Sequence, residues 1–323
     1  MKEEDIRPQA IFDEYLRLAK IDIDSFFKDC EMISIDCPAC GQEGEFSFVK
    51  HDFSYDLCSD CKTLYVNPRP IREAFDKYYS DSPSTKYWAD VFYKSTADAR
   101  KEKLWKPKAA MILEMLNQPR QINFVDIGGG YGVFAELMRE EYGFETHIIE
   151  PNLHLSEICK KKGFKVSQST IEALPKAEIS DVANCFVCFE LFEHLYNVKE
   201  FLQKIYELMN SKDHFIFTTL SSTGADILAL WQDSKSVSPP HHLNFLNPKS
   251  VSKLLSSLGF KEIQVTTPGK LDVDIMVNSS KDLKDRFFAT QLDIMDGNER
   301  SKLQKYLSEN GLSSHMMISC KKG

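Results

Sequence analysis

The chain has 323 residues, of which 42% are hydrophobic, and its formal net charge is −8. This length allows one large domain plus a small one, and the acidic balance argues against a broad nucleic-acid-binding face, which usually needs a basic surface. The acidic start lacks the apolar core of a signal peptide and no apolar run is long enough to span a bilayer, so we expect a cytoplasmic protein.

The N-terminal part is predicted to contain a helix followed by a small cysteine-rich module. Within residues 8–28, Ile11 and Tyr15 contribute to a rough apolar face, as in an amphipathic helix. We therefore assign residues 1–30 to an N-terminal helix and residues 31–70 to the next module.

Two C-x-x-C pairs flank residues 45–56, which alternate aromatic and polar residues and predict a hairpin. Four thiolates brought together by a hairpin would surround one structural zinc ion tetrahedrally, as in a zinc ribbon, and leave no open position for catalysis. The predicted zinc ligands are Cys37, Cys40, Cys58 and Cys61. The alternative, four reduced cysteines packed as small apolar groups, suits this polar, turn-rich stretch less well. A third pair, Cys185 and Cys188, lies in an apolar run and is interpreted as part of a core strand.

Residues 71–118 are predicted to be a helical linker with a high aromatic content. Two interpretations stay open: a helical cover packed on the sheet of the following domain, or a lid whose rings face a substrate. The aromatic residues are Tyr78, Tyr79, Tyr87, Trp88, Phe92, Tyr93 and Trp105.

Residues 119–323 alternate predicted strands and helices, which indicates a doubly wound α/β domain built on a parallel sheet. The predicted strands are 122–126, 146–150, 165–167, 182–189, 215–219, 261–267 and 316–320, and the predicted helices are 133–142, 153–162, 198–209 and 248–258. A helical insertion at about 280–310 is interpreted as a further cover or as an oligomer contact.

The most informative motif of this domain is the glycine-rich turn after its first predicted strand. Asp126 ends the strand, glycines alternate from Gly128 to Gly132, and Glu150 ends the second strand. Glycines let the backbone approach a ligand, the helix N-terminus offers N–H groups, and a carboxylate on the second strand can accept two ribose hydroxyls. The pattern predicts a nucleotide site, but Val133 stands where a dinucleotide fingerprint requires its third glycine.

The D-x-G-x-G-x-G form of this turn resembles the first motif of class I S-adenosylmethionine-dependent methyltransferases. The resemblance implies a Rossmann-like, doubly wound, seven-stranded methyltransferase sheet, accompanied here by a small N-terminal zinc-ribbon module and a helical cover. It also implies that the loop wraps the methionine and ribose parts of the cofactor, with Asp126 near the ammonium group and Glu150 on the ribose diol. The implied cofactor-binding residues are Asp126, Gly128, Gly129, Gly130, Tyr131, Gly132, Glu150, Pro151, Thr170, Ile171, Phe189 and Glu190.

A second part of the resemblance lies after the cysteine pairs. A ribbon that ends in Asn67-Pro68-Arg69-Pro70 and precedes such a core is similar to a group of bacterial methyltransferases, many of which serve glycan or secondary-metabolite pathways. The resemblance therefore covers nearly the whole chain. It implies a small-molecule or glycan acceptor, with a nucleotide sugar among the candidates. The lack of a long apolar run predicts no membrane partner, and the helical insertion leaves an oligomer open.

The adenine-binding position departs from the family pattern. Many relatives carry an acid and a small residue after the third strand, whereas this chain has Thr170 and Ile171. The Thr170 hydroxyl can still accept a hydrogen bond and the Ile171 N–H can still donate one. Core packing alone would also explain Ile171.

The segment after the fourth strand combines acids with a histidine. Glu190, Glu193 and His194 resemble the acidic-histidine cluster of ubiquinone-pathway O-methyltransferases, which can hold a divalent metal, and these are adequate ligands for Mg²⁺ or Mn²⁺. Alternatively, His194 orients the loop or acts as a general base, and Glu190 supports the cofactor pocket.

Two further histidines, His241 and His242, follow two prolines on a loop that we expect to be exposed. Packing explains such residues poorly, and a histidine with a pKa near neutrality suits removal of a hydroxyl proton. We therefore predict that His241 or His242, or else His194, is the catalytic base. The alternative is that His241 and His242 are only exposed loop residues or hydrogen-bond a substrate.

Together these features predict transfer of a methyl group from S-adenosylmethionine to a small-molecule or carbohydrate acceptor. A hydroxyl oxygen is favoured as the acceptor atom over a carbon or a nitrogen. Two further alternatives stay open. An RNA methyltransferase would use the ribbon to grip its substrate, although the acidic balance and the lack of an Asn-Pro-Pro-Tyr type motif after the fourth strand argue against it. A non-catalytic protein would bind the cofactor and dock a partner through the ribbon.

Overall fold

The computed structural model describes residues 2–323. Its strands are β1 (Met32–Ile33), β2 (Gly44–Lys50), β3 (Phe53–Cys58), β4 (Leu64–Val66), β5 (Arg69–Pro70), β6 (Asn123–Ile127), β7 (Thr146–Ile149), β8 (Lys165–Ser167), β9 (Asn184–Phe189), β10 (His214–Leu220), β11 (Asn244–Phe245), β12 (Phe260–Thr266) and β13 (His315–Lys322). Its α-helices are α1 (Gln9–Phe26), α2 (Arg72–Asp81), α3 (Pro83–Tyr87), α4 (Lys94–Arg100), α5 (Lys106–Met115), α6 (Val133–Tyr142), α7 (Leu153–Lys161), α8 (Val198–Leu208), α9 (Ala225–Leu230), α10 (Pro248–Ser257), α11 (Asp272–Asn278), α12 (Arg286–Ile294) and α13 (Gly297–Glu309). Short 3₁₀ or π-helical segments lie at Glu3–Asp5, Trp88–Tyr93, Lys101–Trp105, Lys176–Glu178, Phe192–His194, Trp231–Asp233 and Ser280–Asp282.

The chain forms two compact units, and each consists of several segments. The sheet unit comprises Lys101–Thr219, Val251–Val265 and Met317–Gly323. The ribbon unit comprises the residues up to Arg100, Leu220–Ser250 and Thr266–Met316. The chain therefore passes from one unit to the other several times, and the predicted 71–118 linker is divided between them.

The sheet unit contains a seven-stranded mixed sheet in the order β12-β13-β10-β9-β6-β7-β8. β6 pairs in parallel with both β7 and β9, and β10 pairs in parallel with β9. The predicted Rossmann-like sheet is therefore confirmed. The strand order reverses at β6, and folds of this kind bind ligands at the carboxyl ends of the strands beside such a reversal.

The sheet's apolar sequence is explained by burial on both faces. β9 is buried along its whole length, and Cys185 and Cys188 are fully buried in it, which confirms that this cysteine pair belongs to the core. Ala109 and Ile112 of α5 pack in the same apolar cluster as Phe124 of β6. The C-terminal part of the predicted linker is thus a helical cover of the sheet.

The ribbon unit contains a four-stranded sheet in the order β11-β4-β3-β2, in which all neighbours are antiparallel. The predicted hairpin is formed by β2 and β3. The short strands β1 and β5 pair separately. The fourth strand, β11, was not predicted, and it comes from a part of the sequence far from the cysteine pairs.

Three aromatic residues of the predicted linker, Tyr87, Trp88 and Phe92, pack on α1 in the ribbon unit. The rings of Trp88 and Phe92 stack with their centroids 4.0 Å apart, and Phe92 joins Phe12 and Tyr15 of α1 in one apolar cluster. The sequence predicted a cover or a lid, whereas these rings form a core with the N-terminal helix.

The predicted helical insertion corresponds to α12 and α13. Leu292 and Leu307 of these helices pack with Leu230 of α9 and Met276 of α11 in a separate apolar cluster. Among residues 2–323, every helix is too short or too polar to cross a bilayer.

Candidate active site and cysteine cluster

The glycine loop lies directly after β6, at the carboxyl edge of the sheet. Gly128, Gly130 and Gly132 have φ values of +69°, +54° and +72°, which side chains rarely adopt. A Cβ atom on Gly129 would approach the Asp126 Oδ2 atom to 2.9 Å, whereas one on Gly130 would meet nothing within 4 Å. The loop is therefore closed towards Asp126 and open at Gly130, where a ligand can approach the backbone.

Glu150 follows β7 directly and connects the second strand to this loop. Its Oε2 atom accepts the Gly130 N–H at 3.0 Å, and its Oε1 atom accepts the Asn152 N–H at 2.9 Å. Burial raises the pKa of Glu150, and the two backbone hydrogen bonds oppose that rise. Each carboxylate oxygen has two lone pairs, so both oxygens keep acceptor capacity beyond these bonds.

Asp126 is a buried carboxyl group beside the loop. Burial, followed by the charge of Glu150, raises the pKa of Asp126 to about 7, and the charge of Lys108 acts in the opposite direction. Because this pKa lies near neutral pH, a cation brought close to the carboxyl group would lower the pKa and favour the carboxylate.

The remaining predicted cofactor residues differ in exposure. Tyr131 is half-buried beside the loop, and Pro151 is exposed directly after Glu150. Thr170 is exposed, whereas Ile171 is only 2% exposed. The hydrogen bonds described above thus join the glycine loop and Glu150, with Asp126 buried beside the loop, and the adenine role of Thr170 and Ile171 stays a prediction.

Phe189 and Glu190 lie where β9 ends, beside a buried lysine that the sequence did not reveal. The Lys108 Nζ atom lies 3.4 Å from both Glu190 Oε1 and Thr218 Oγ1, and it lies 4.8 Å and 4.7 Å from the ring centroids of Trp105 and Phe189. Lysines near the start of a helix are usually solvent-exposed. The sequence therefore did not indicate that this lysine is buried at the site.

The backbone of Glu190 is held in an uncommon conformation. Its φ is +52° although it is not glycine. The Thr218 hydroxyl accepts the Glu190 N–H at 3.3 Å and donates to Glu190 Oε1 at 2.8 Å. Strained backbone that is stabilised in this way is common at functional sites.

Glu193 and His194 follow on a short 3₁₀ turn. Glu193 is buried, and its Oε2 atom accepts a hydrogen bond of 3.0 Å from the Thr219 hydroxyl. Burial and the neighbouring Glu190 raise the pKa of Glu193 to about 8. His194 is half-buried. The roles of His194 as a base and of this cluster as a metal site stay predictions.

The four predicted zinc ligands lie together in the ribbon unit. Each pair occupies the same kind of turn, in which Gly41 N–H donates to the Cys37 carbonyl and Lys62 N–H donates to the Cys58 carbonyl. All four Sγ atoms lie within 4.8 Å of one another. In a tetrahedral site with Zn–S bonds of about 2.3 Å, the sulfur atoms are about 3.8 Å apart, so the cluster has the size that zinc requires. Hydrogen bonding from the Cys37 thiol lowers the pKa of Cys61, which favours the thiolate that binds metals.

His241 lies in the ribbon unit and is only 5% exposed, so the prediction of an exposed loop is wrong at this residue. Its ring lies 5.3 Å from that of Tyr15 and 5.2 Å from that of Tyr78, and its Nε2 atom lies 2.5 Å from the Tyr78 hydroxyl. Burial raises the pKa of Tyr78 well above its usual value, so that hydroxyl keeps its proton. The tyrosines come from α1 and α2, which local sequence around His241 could not indicate.

His242 is half-buried and is held differently. Its Nδ1 atom lies 2.5 Å from the Ser236 carbonyl oxygen. A carbonyl oxygen only accepts hydrogen bonds, so Nδ1 carries the proton, and in the neutral ring the lone pair lies on Nε2. This is the tautomer that a general base working through Nε2 needs.

The strand order, the glycine loop and the acid after β7 define a Rossmann-like protein whose glycine loop lies at the switch point of its sheet. A family model described as a methyltransferase domain matches residues 98–265, just over half of the chain. The chain therefore belongs to this family of methyltransferases.

The chain is also similar to individual proteins. It is 28% identical over 123 residues to a ubiquinone biosynthesis O-methyltransferase of Rickettsia conorii, with 36% of this chain and 41% of that protein covered. It is 29% identical over 113 residues to the protein of the same name in Rickettsia felis, with 33% and 45% covered. The chain thus spans under half the length of these curated relatives.

Among solved structures, the chain is similar to an S-adenosylmethionine-dependent methyltransferase of Thermotoga maritima described as a possible histamine N-methyltransferase. The two are 16% identical, the match covers 72% of this chain and 98% of that one, and the TM-score is 0.45.

Proposed function

We propose that the protein transfers a methyl group from S-adenosylmethionine to a hydroxyl oxygen of a small molecule. The observation that carries the proposal is the contact between Glu150 and the Gly130 N–H, because it places a carboxylate from the second strand on the open face of the glycine loop. Membership of the methyltransferase family and the names of the two rickettsial relatives support the reaction and the kind of acceptor.

The residues at the edge of the sheet suit this cofactor. We assign the ribose diol to the remaining lone pairs of Glu150, the ammonium group to Asp126, and the close approach of the ligand to the open backbone at Gly130. A bound S-adenosylmethionine supplies an electrophilic methyl group on a sulfonium with a neutral leaving group. The protein mainly has to align the acceptor with that group, and alignment supplies roughly 7–11 kcal/mol of the barrier.

A hydroxyl acceptor must also lose its proton as the new O–CH₃ bond forms and the S–CH₃ bond breaks. We propose His242 as the base, in preference to His241 and His194. The bond from Nδ1–H to Ser236 places the lone pair of the neutral His242 ring on Nε2, which is the tautomer that this role needs. His241 is buried, and its ring lies beside those of Tyr15 and Tyr78. We also propose that the four cysteines bind one structural zinc ion.

The function is tested in two steps. Isothermal titration of the zinc-loaded protein with S-adenosylmethionine and with its demethylated product, with NAD as the control, is expected to give binding in the micromolar range for the first two only. Methyl transfer from labelled cofactor is then measured with a catechol, a simple phenol and a nucleotide sugar. Binding without transfer to any hydroxyl acceptor would favour the non-catalytic alternative, and no binding by folded protein would refute the proposal.

Cofactor binding is expected to release a proton near pH 6.5. Asp126 is mostly protonated there because its pKa is about 7, and a bound ammonium group favours the carboxylate and lowers that pKa. Affinity for the cofactor should therefore weaken as the pH falls below about 7. At pH 6.5 the ligand's own α-amino group is already charged, since such groups have pKa values of about 7.7–8.0.

Titration calorimetry in two buffers that differ in ionisation enthalpy measures this proton. The observed heat should differ between the buffers for the wild type and should not differ for Asp126→Asn. Equal heats in both buffers for the wild type would show that Asp126 does not meet a cation of the ligand.

A further inference from the structure

The segment that carries the two histidines continues the cysteine-rich sheet. We call residues 231–247 the histidine segment. Its strand β11 pairs with β4, with Asn244 opposite Tyr65, and the Val66 N–H donates to the Leu243 carbonyl at 3.0 Å. The backbone directly after His242 is therefore a strand of the ribbon's own sheet, so that sheet sets its path.

Side chains of the hairpin also bind the main chain of the histidine segment. The Tyr55 hydroxyl donates to the His242 carbonyl at 2.8 Å, and the Lys50 ammonium donates to the Ser234 carbonyl at 2.7 Å. Tyr55 is fully buried. The segment is thus held on both sides of Ser236, whose carbonyl sets the tautomer of His242.

The turn with the second cysteine pair makes one contact at the end of this segment and another at Ser222, before α9. Asn247 Nδ2 donates to the Cys61 carbonyl at 2.7 Å, and the Ser222 hydroxyl donates to the Lys62 carbonyl at 2.6 Å. Both carbonyl groups lie in the turn that begins at Cys58 and carries two of the proposed zinc ligands. Disorder in that turn would release these contacts as well as the metal.

The His242 ring is linked to the same hairpin through aromatic packing. Its centroid lies 5.9 Å from that of Phe245, and the Phe245 ring lies 6.4 Å from that of Tyr55. The Tyr55 hydroxyl therefore binds the His242 carbonyl, and the Tyr55 ring packs on Phe245, which in turn packs on the His242 ring.

We propose that the cysteine ribbon is a positioning element for His242. Through Tyr55 and the turn after Cys58, it holds the His242 ring against the Ser236 carbonyl and so keeps the lone pair on Nε2. Tyr55 is a positioning residue that acts through His242 and does not touch the substrate. The inference rests on the proposed role of His242 as the base, and it gives the metal module a part in turnover beyond its own folding.

A matched pair of substitutions tests the inference. Tyr55→Phe removes the hydroxyl that binds the His242 carbonyl. Tyr65→Phe removes the hydroxyl of an equally buried tyrosine in the same sheet, which has no hydrogen-bond partner among residues 2–323. The readout is the ¹⁵N shifts of the histidine rings at a pH of about 8.5, where an unperturbed histidine is neutral, with His242 assigned from the signal missing in His242→Gln.

Wild type and Tyr65→Phe should show an Nδ1-protonated His242, whereas Tyr55→Phe should show a mixture of tautomers. With an acceptor in hand, Tyr55→Phe should lower kcat about tenfold, the loss expected for one hydrogen bond, and leave cofactor affinity unchanged. Chelation of the metal should change the His242 signals and leave those of His154, exposed on α7 in the sheet unit, unchanged.

Unchanged His242 signals in Tyr55→Phe, or after the metal is removed from a zinc-containing protein, would overturn the inference. The ring spectra need neither cofactor nor acceptor. A protein that does not bind S-adenosylmethionine but shows the coupled His242 signals would therefore refute the proposed function and leave the positioning contact standing.

Discussion

Replacement of Glu150 by alanine is expected to lower the affinity for S-adenosylmethionine by about 100-fold or more. Hydrogen bonds to a charged group contribute about 1.5–3 kcal/mol each, and about 2.7 kcal/mol corresponds to a 100-fold change in affinity. Loss of the carboxylate also frees the N–H groups of Gly130 and Asn152, which Glu150 now holds on the open side of the loop. Isothermal titration at fixed pH measures the change.

Two variants control for effects on folding. Glu150→Gln keeps one acceptor oxygen and should lose less affinity than Glu150→Ala. Glu157→Ala removes an acid from α7 whose pair with Lys160, at 3.0 Å, is exposed, so it should bind as the wild type does. A folded Glu150→Ala protein with undiminished affinity would show that the ribose lies elsewhere.

Replacement of Cys58 by serine is expected to abolish zinc binding and to destabilise the ribbon unit. Cys58 is fully buried at the end of β3, and zinc contributes on the order of 10 kcal/mol to the folding of comparable small modules. A loss of even 4 kcal/mol corresponds to a fall in Tm of about 6 °C in a chain of this length. Metal content by mass spectrometry and amide hydrogen exchange over residues 37–66 measure both effects.

Cys30→Ser provides the matched comparison. Cys30 lies before the first pair, is half-buried, and does not belong to the cluster of four thiols. This variant should retain zinc and the exchange protection of the wild type. A wild-type protein that contains no zinc when purified with zinc present, and that a chelator leaves unchanged, would assign the four thiols to packing instead.

The elements of the sheet unit could be predicted because their signals are local. α6 was predicted at 133–142 and lies at Val133–Tyr142, since a glycine precedes it and another ends it. The short strand β11 could not be predicted. Two residues, Asn244 and Phe245, have no periodicity, and the partner that makes them a strand is β4, which follows the cysteine hairpin.

The residues of the candidate site also differ in whether local sequence could predict them. Asp126 and Glu150 belong to a motif whose spacing is readable, and the structure brings both to one loop. Lys108 was missed because its burial depends on Trp105 and Phe189, which only the fold brings together. The exposure of His241 was predicted wrongly for the same reason, because its surroundings come from helices that lie far away in the sequence.

The pairing of β4 with β11 also has a consequence for the order in which the protein is made. Roughly 180 residues separate Val66 from Asn244, so at about 5–20 residues per second the ribosome delivers the partner strand about 10–35 s after β4. During that interval β4 is an open sheet edge on a nascent chain, the kind of surface that pairs with other chains. All four cysteines are translated before the interval begins, so a metal captured early would hold the three N-terminal strands of the sheet in place until β11 is made.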